Sequence, residues 1–194
     1  MPVTTLDPKT ALVVIDLQGG IIAAPTVPLA AAEVVARTAL LAEAFRSHGL
    51  PVVLVRVTHR ADGSDAVTGR IDGGSRPPRP RPEGWDELAS EITGPDDIVV
   101  TKRNWGAFYG TDLDLQLRRR GITQVVLTGI ATSIGVESTA RAAHEHNYHV
   151  TLAVDAMTDL DADTHRNSVE KIFPRLGETG TTDEIIELLA KTRG

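Results

Sequence analysis

The sequence predicts an α/β fold: a three-layer α/β/α sandwich around a six-stranded, mainly parallel sheet with strand order 3-2-1-4-5-6. Three observations carry that reading. Continuous Val-rich runs alternate with helical patterns, and such runs suit strands buried on both faces of a parallel sheet. Hydrophobic residues make up 41% of the chain and aromatic ones only 4%, so the core is aliphatic, as helix-covered strands require. A length of 194 residues holds one well-buried core more readily than two, and residues 1–194 are expected to form a single domain.

The strands are expected at 11–16 (ALVVID), 51–57 (PVVLVRV), 97–102 (DIVVTK), 124–130 (QVVLTGI) and 149–156 (HVTLAVDA), with a short sixth near Arg175 to Glu178. Leu29 to His48 carries apolar residues at helical spacing and stops at Gly49. Thr111 with Asp114 is read as the cap of a helix ending in Arg118, Arg119, Arg120 and Gly121, which sets cations at its negative end. Thr181 and Glu184 have the spacing of a capping box for the last helix. The one long irregular stretch, Thr58 to Gly84, is rich in Gly, Pro, Asp and Arg. A loop of that length serves as a lid, a binding loop, an oligomer contact or plain mobile surface. Within it, SRPPRPRP at 75–82 reads as a stiff surface loop.

Composition excludes several function classes. The formal charge of -6 is spread along the chain, and nucleic-acid binding usually leaves a clustered basic footprint. The start, MPVTTLDPKT, has neither the basic opening nor the apolar run of a signal peptide, and no stretch of about 18 apolar residues could span a bilayer. The expected setting is the cytoplasm, with a small molecule as partner and neither nucleic acid nor membrane. The chain contains no cysteine, which removes disulfides, thiolate metal sites and any cysteine nucleophile.

In a sheet of this order strands 1 and 4 are central neighbours, and the switch point lies between their carboxyl ends. Asp16 and the turn after Gly129 would share that crevice, and Lys102, ending strand 3, could reach over the rim. Asp16 follows a very apolar strand. It either caps the next turn through backbone amides or acts as a proton donor or acceptor whose pKa desolvation raises. Lys102 is either a solvated loop charge or a cation that holds an anionic substrate. The two pull against each other, because an ammonium beside Asp16 lowers the pKa that burial raises. The turn TGIATSIGVESTAR (128–141) offers amides near Ile134 and Gly135 at a helix start, where an anion is received. Thr132 and Ser133 there serve as caps or as hydroxyl contacts, and Gly135 is a packing glycine or an emptied functional position. Trp105, Phe108 and Tyr109 are either core and subunit packing or the apolar wall of a pocket.

The ordered segments VVIDLQ (13–18), TKRNWGAFYGTDLDLQLRRRGI (101–122), LTGIATSIGVESTARAA (127–143) and VDAMTD (154–159) resemble the isochorismatase-like hydrolase family over roughly residues 10 to 185. The resemblance implies an Asp-Lys-Cys triad in most members, with Asp16 and Lys102 matching the first two and Gly135 falling where the cysteine belongs. It also implies a cis peptide before the elbow, at Ile130-Ala131. The amidases of the family need a thiolate to form an acyl-enzyme. The true isochorismatases are similar in carrying a small residue at that position, and they hydrolyse a vinyl ether without a nucleophilic side chain. By this resemblance Asp16 would protonate the vinyl carbon, Lys102 would hold a substrate carboxylate, and Gly135 would leave room for substrate or water. His59 would be a polar substrate contact and Arg70 a partner for a second carboxylate. Trp105, Phe108, Ile130, Ala131, Ser133 and Ile134 would line the site. His59, in RVTHRADG, stands where the family's metal pattern wants Asp-x-His, so neither metal nor cofactor is expected. Family analogy implies a homo-oligomer, a dimer or larger. Two further readings stand beside this one: a catalytically silent member that binds a small ligand, favoured if Asp16 and Lys102 pair with each other in a closed crevice, and a hydrolase with Ser133 or Ser138 as substitute nucleophile.

Overall fold

The computed structural model describes residues 2–67, 69–72 and 81–193. Six strands, β1 (Thr10–Ile15), β2 (Val52–Val57), β3 (Ile98–Lys102), β4 (Gln124–Ile130), β5 (His149–Thr158) and β6 (Glu178–Gly180), form one sheet. Its order is β3-β2-β1-β4-β5-β6, and every pair is parallel. The predicted order and class therefore hold. Strand β1 is buried along its whole length, and its side chains alternate between two cores as the pleat requires. Ala11, Val13 and Ile15 pack with Leu113, Leu117, Ala140 and Ala143 on one face. Leu12 and Val14 pack with Val34, Leu41, Phe45, Ile185 and Leu189 on the other.

The helices that cover these faces are α2 (Ala31–Ser47) and α6 (Thr182–Arg193) on the second face, and α3 (Leu113–Arg119) and α4 (Glu137–Glu145) on the first. Two short helices, α1 (Gly19–Ile22) and α5 (Ala162–Asn167), sit in connections. The glycines that close α2 and α3, Gly49 and Gly121, both have positive φ (66° and 67°), the left-handed stop that a residue with a Cβ resists. Among the described residues no helix is long and apolar enough to cross a membrane.

Two local expectations are corrected. The sixth strand begins at Glu178, later than the stretch expected near Arg175, because Phe173–Arg175 form a helical turn that buries Phe173. Thr111 and Asp114 do not cap α3 as a pair. The Thr111 hydroxyl accepts from Leu113 N–H (3.2 Å), whereas the Asp114 carboxylate accepts from the Tyr148 hydroxyl (2.7 Å) and Arg118. Most of the basic cluster at 75–82 lies outside the described residues. The capping box of α6 does form: Thr181 N–H donates to Glu184 Oε2 (2.8 Å) and Glu184 N–H to Thr181 Oγ1 (3.3 Å). Thr181→Ala is expected to cost about 1 kcal/mol and to lower Tm by roughly 2–4 °C in a thermal melt.

Candidate functional site

The site is assembled at the carboxyl edge of the sheet by three strands. Asp16 follows β1 directly in a left-handed conformation, φ 55°, which aspartate tolerates better than most residues. Its N–H donates to the Val55 carbonyl (2.9 Å) and its own carbonyl accepts from Gln18 N–H (2.9 Å), so the backbone is pinned and the side chain turns inward. Lys102, the last residue of β3, is 1% exposed, and Asp16 is 5% exposed. The ammonium crosses over β2 to reach Asp16 Oδ2 at 2.8 Å and also donates to the carbonyl of Trp105. The second carboxylate oxygen, Asp16 Oδ1, is buried without a hydrogen-bond partner among the described residues.

Burial pushes the Asp16 carboxyl up to about 6, against the lowering effects of the Lys102 charge and hydrogen bond. The contest posed by the sequence is thus decided by desolvation: a carboxylate in water ionises near 3.8, and removal from water costs its charged form more than one ammonium returns. A carboxyl group poised this way exchanges a proton readily near neutral pH.

The third contribution is the turn after β4. The Ile130-Ala131 peptide is cis, as the resemblance implies, and Thr132–Val136 make a wide helical turn into α4. The Ala131 carbonyl accepts from the N–H groups of Ile134 (3.1 Å) and Val136 (3.2 Å). A Cβ placed on Gly135 would lie 3.2 Å from Asp16 Oδ2, 3.4 Å from Lys102 Nζ and 2.9 Å from Ile15 Cγ2. Carboxyl, ammonium and a residue with no side chain therefore meet at one point, although 119 positions separate Asp16 from Gly135 in the chain (135 minus 16).

The other predicted residues are not all brought here. Ile130 is buried, and Ala131, Ser133 and Ile134 are half-buried along the turn. Trp105 is 65% exposed and serves Lys102 through its carbonyl. Phe108 is buried in the core, stacked on His146 at 5.1 Å and beside Tyr148, so its expected place in the site is corrected to core packing: its ring is committed to the α3–α4 side of the sheet. His59 lies beyond β2, half-buried, its Nδ1 without a hydrogen-bond partner among the described residues and 3.8 Å from Asp65 Oδ1. Arg70 is exposed. Ser133 gives its N–H to Asp159 Oδ2 (2.6 Å), and Ser138 packs against Gly106, about a turn of helix further on.

Several residues that build the site were not singled out from the sequence. Asp159 is 2% exposed and fixes the turn through Ser133 and Leu160 N–H (2.7 Å). Thr132, which the sequence did offer as a cap or hydroxyl contact, donates to the Thr158 carbonyl (3.1 Å) and pairs with His165 Nδ1 (2.9 Å). Thr139 donates to the Gly135 carbonyl (2.7 Å) and accepts from Ala107 N–H (3.1 Å), tying the loop that carries Trp105 to the turn that carries Gly135. Gln18 clamps β1 to β2 by accepting from Val57 N–H (2.8 Å) and donating to the Val57 carbonyl (2.9 Å). Each joins segments far apart in sequence, so no local pattern marks it.

An isochorismatase domain model matches residues 10–184. The chain is 48% identical over 181 residues to the uncharacterized isochorismatase family protein YecD of Escherichia coli O157:H7, covering 93% of this chain and 96% of that one. It is 32% identical over 210 residues to the ureidoacrylate amidohydrolase RutB of Variovorax paradoxus, covering 93% and 81%. An isochorismatase family protein from Burkholderia thailandensis of known structure superposes with a TM-score of 0.92 at 49% identity, covering 96% of this chain and 98% of that one.

Proposed function

The chain belongs to the isochorismatase family, and from that premise we propose that it is a hydrolase that cleaves the vinyl ether of a small anionic metabolite of the isochorismate type, with Asp16 as acid and no cysteine nucleophile. Gly135 stands in the nucleophile's place; a Cβ there would already meet Ile15 Cγ2 at 2.9 Å, so a reactant or water reaches Asp16 only as the Ile15 side chain gives way. The observation that carries this reading is the position of a Cβ on residue 135, within 3.4 Å of both the Asp16 carboxylate and the Lys102 ammonium. A molecule entering there meets a proton donor and a cation at once.

The steps balance with these groups. Protonated Asp16 gives its proton to the terminal carbon of the enol ether, which leaves an oxocarbenium ion whose charge the nearby carboxylate stabilises. Water adds to the ether-bearing carbon of that ion and returns a proton to Asp16, which forms a hemiketal. The hemiketal then breaks its bond to the alcohol oxygen, releasing pyruvate and the alcohol. Lys102 holds the substrate carboxylate, and Ile130, Ala131, Ser133 and Ile134 form the wall of the turn, with His59 and Trp105 at the rim.

Because the acid must be protonated and its carboxyl ionises near 6, kcat/KM for isochorismate is expected to fall about tenfold per pH unit above that point. A flat profile from pH 6 to 8 would remove Asp16 from the acid role. Release of pyruvate from isochorismate by the purified protein is the direct assay.

The ion pair itself favours a second reading. Asp16 Oδ2 and Lys102 pair at 2.8 Å in a nearly closed setting, as a catalytically silent member that only binds a small ligand would require. Saturable ligand binding without turnover of any enol ether or amide would favour that reading over the first.

A further inference from the structure

Lys102 is a buried cation held by two oxygens, Asp16 Oδ2 and the Trp105 carbonyl. An ammonium removed from water keeps its place only while such oxygens stay where they are. The Trp105 carbonyl belongs to residues 103–112, a stretch of bends and turns without helix or strand, so its position is set by whatever holds that loop. We propose that Thr139 is the positioning residue for Lys102: its one hydroxyl locks the loop that presents the Trp105 carbonyl onto the turn that presents Gly135, and so keeps the ammonium on Asp16. The inference concerns the ion pair whatever the substrate, and only its turnover arm rests on the vinyl-ether reading.

The contacts form a closed ring. Asp16 Oδ2 pairs with Lys102 Nζ at 2.8 Å, and Nζ donates to the Trp105 carbonyl. Further along the same loop, Ala107 N–H donates to Thr139 Oγ1 (3.1 Å). The Thr139 hydroxyl in turn donates to the Gly135 carbonyl (2.7 Å), and a Cβ on Gly135 would come back to Asp16 Oδ2 at 3.2 Å. Thr139 and Ala107 are fully buried, so water does not replace either bond once it is lost. A helical threonine that bonds back to the carbonyl four residues earlier is ordinary. Here its oxygen also accepts a backbone N–H from a separate segment, which a hydroxyl can do at the same time. Valine has the same shape and can do neither.

The loop is built around that link. Thr111 Oγ1 donates to the Ala107 carbonyl (2.6 Å), so threonine hydroxyls hold both polar groups of Ala107. Gly106 lies flat on the start of α4, where a Cβ would meet the Ser138 backbone at 3.4 Å. Phe108 anchors the far side in the core. At the other end of the ring, Asp16 has one charged neighbour among the described residues, Lys102, whose charge and hydrogen bond lower a carboxyl that burial raises. Without the Thr139 bond the Trp105 carbonyl recedes with its loop. The long lysine side chain then carries its ammonium toward water, and Asp16 keeps its burial but loses its counter-charge.

Titration of the Asp16 carboxyl by carbon-13 NMR, its signal assigned by its loss in Asp16→Asn, supplies the test. In Thr139→Val and in Thr139→Ala, which removes the same hydroxyl and favours the helix, the midpoint is expected to rise from about 6 by about one pH unit. Thr139→Ser keeps the hydroxyl and is expected to titrate as the native protein does. Lost packing alone predicts otherwise, since serine is the smaller residue and would not rescue it. In isochorismate turnover the falling limb of kcat/KM is expected to move up by the same amount, and at pH 5 the value is about tenfold below native because Lys102 no longer meets the substrate. A midpoint at the native value in either hydroxyl-free protein overturns the proposal, as does a midpoint that Thr139→Ser moves equally. The native protein offers a check without any variant: the Ala107 amide is expected to exchange hydrogen slowly, and exchange at the rate of an exposed loop amide overturns the ring. A serine-rescued shift in a protein that never releases pyruvate leaves this inference standing and removes the vinyl-ether reading; Asp16-dependent turnover with an unmoved midpoint does the reverse.

Discussion

Asp16→Asn is expected to reduce pyruvate release about a thousandfold and, at pH 8, to make the protein more stable. Both effects come from one fact: the carboxyl ionises near 3.8 in the unfolded chain and near 6 in the folded one. Between those values the folded state holds a proton that the unfolded state has released, so this group's contribution to stability declines as pH rises through the window and stays low above it. A shift of that size corresponds to about 3 kcal/mol. Asparagine has the shape of the protonated acid and never ionises, so it escapes the penalty, while its carbonyl can still accept from Lys102. The margin of the variant over the native protein should therefore widen from pH 4 to pH 6 and then level off, which urea unfolding at several pH values will measure. A variant less stable than the native protein at pH 8 would mean that ionised Asp16 is a structural partner of Lys102, and native turnover in the variant would end its catalytic role. Lost turnover together with gained stability marks the acid as a group retained for chemistry in spite of its effect on stability.

The fold was readable because burial on both faces of a parallel sheet forces continuous aliphatic runs, and ALVVI, VVLV and VVL are such runs. Once the strand order is right, the meeting of Asp16, Lys102 and Gly135 follows from topology, since the three follow or end strands whose carboxyl ends share one edge. What was illegible depends on partners far away in the chain. Asp114 looked like a cap for α3 but is claimed by Tyr148, which the sheet brings alongside. Phe108 looked available to a pocket, yet its ring is taken up by His146 and Tyr148. The loop after β2 gives the same lesson: the path of residues 81–88 is set by Trp85 lying on Gly20 and by Gln18, and no spacing in the loop itself reports that contact. Asp159 and Thr139 escaped notice because an acid and a hydroxyl that serve backbone groups across the fold resemble any others in a sequence.

Gly135→Ala is the second large effect expected: kcat/KM for isochorismate falls about a hundredfold while the melting temperature stays within a few degrees. The new methyl would stand 3.2 Å from Asp16 Oδ2 and 3.4 Å from Lys102 Nζ, and so would exclude a reactant from hydrogen-bonding distance of both. The structural cost is limited. The Ile15 methyl, at 2.9 Å, must shift and Asp16 Oδ2, at 3.2 Å, must give by a few tenths of an ångström; the overpacking of about 1 kcal/mol is offset by the smaller conformational freedom of alanine in the unfolded chain. Gly135→Cys places its Cβ at the same point, so it should lose the vinyl-ether reaction as Gly135→Ala does. Its thiol adds a separate question, because Lys102 favours the thiolate whereas burial and Asp16 oppose it. Hydrolysis of small amides by Gly135→Cys alone would indicate that the surroundings of residue 135 still support acyl transfer. Native turnover in Gly135→Ala would carry the opposite message: the space beside Asp16 takes no part in the reaction, and the substrate must approach the carboxyl from another side.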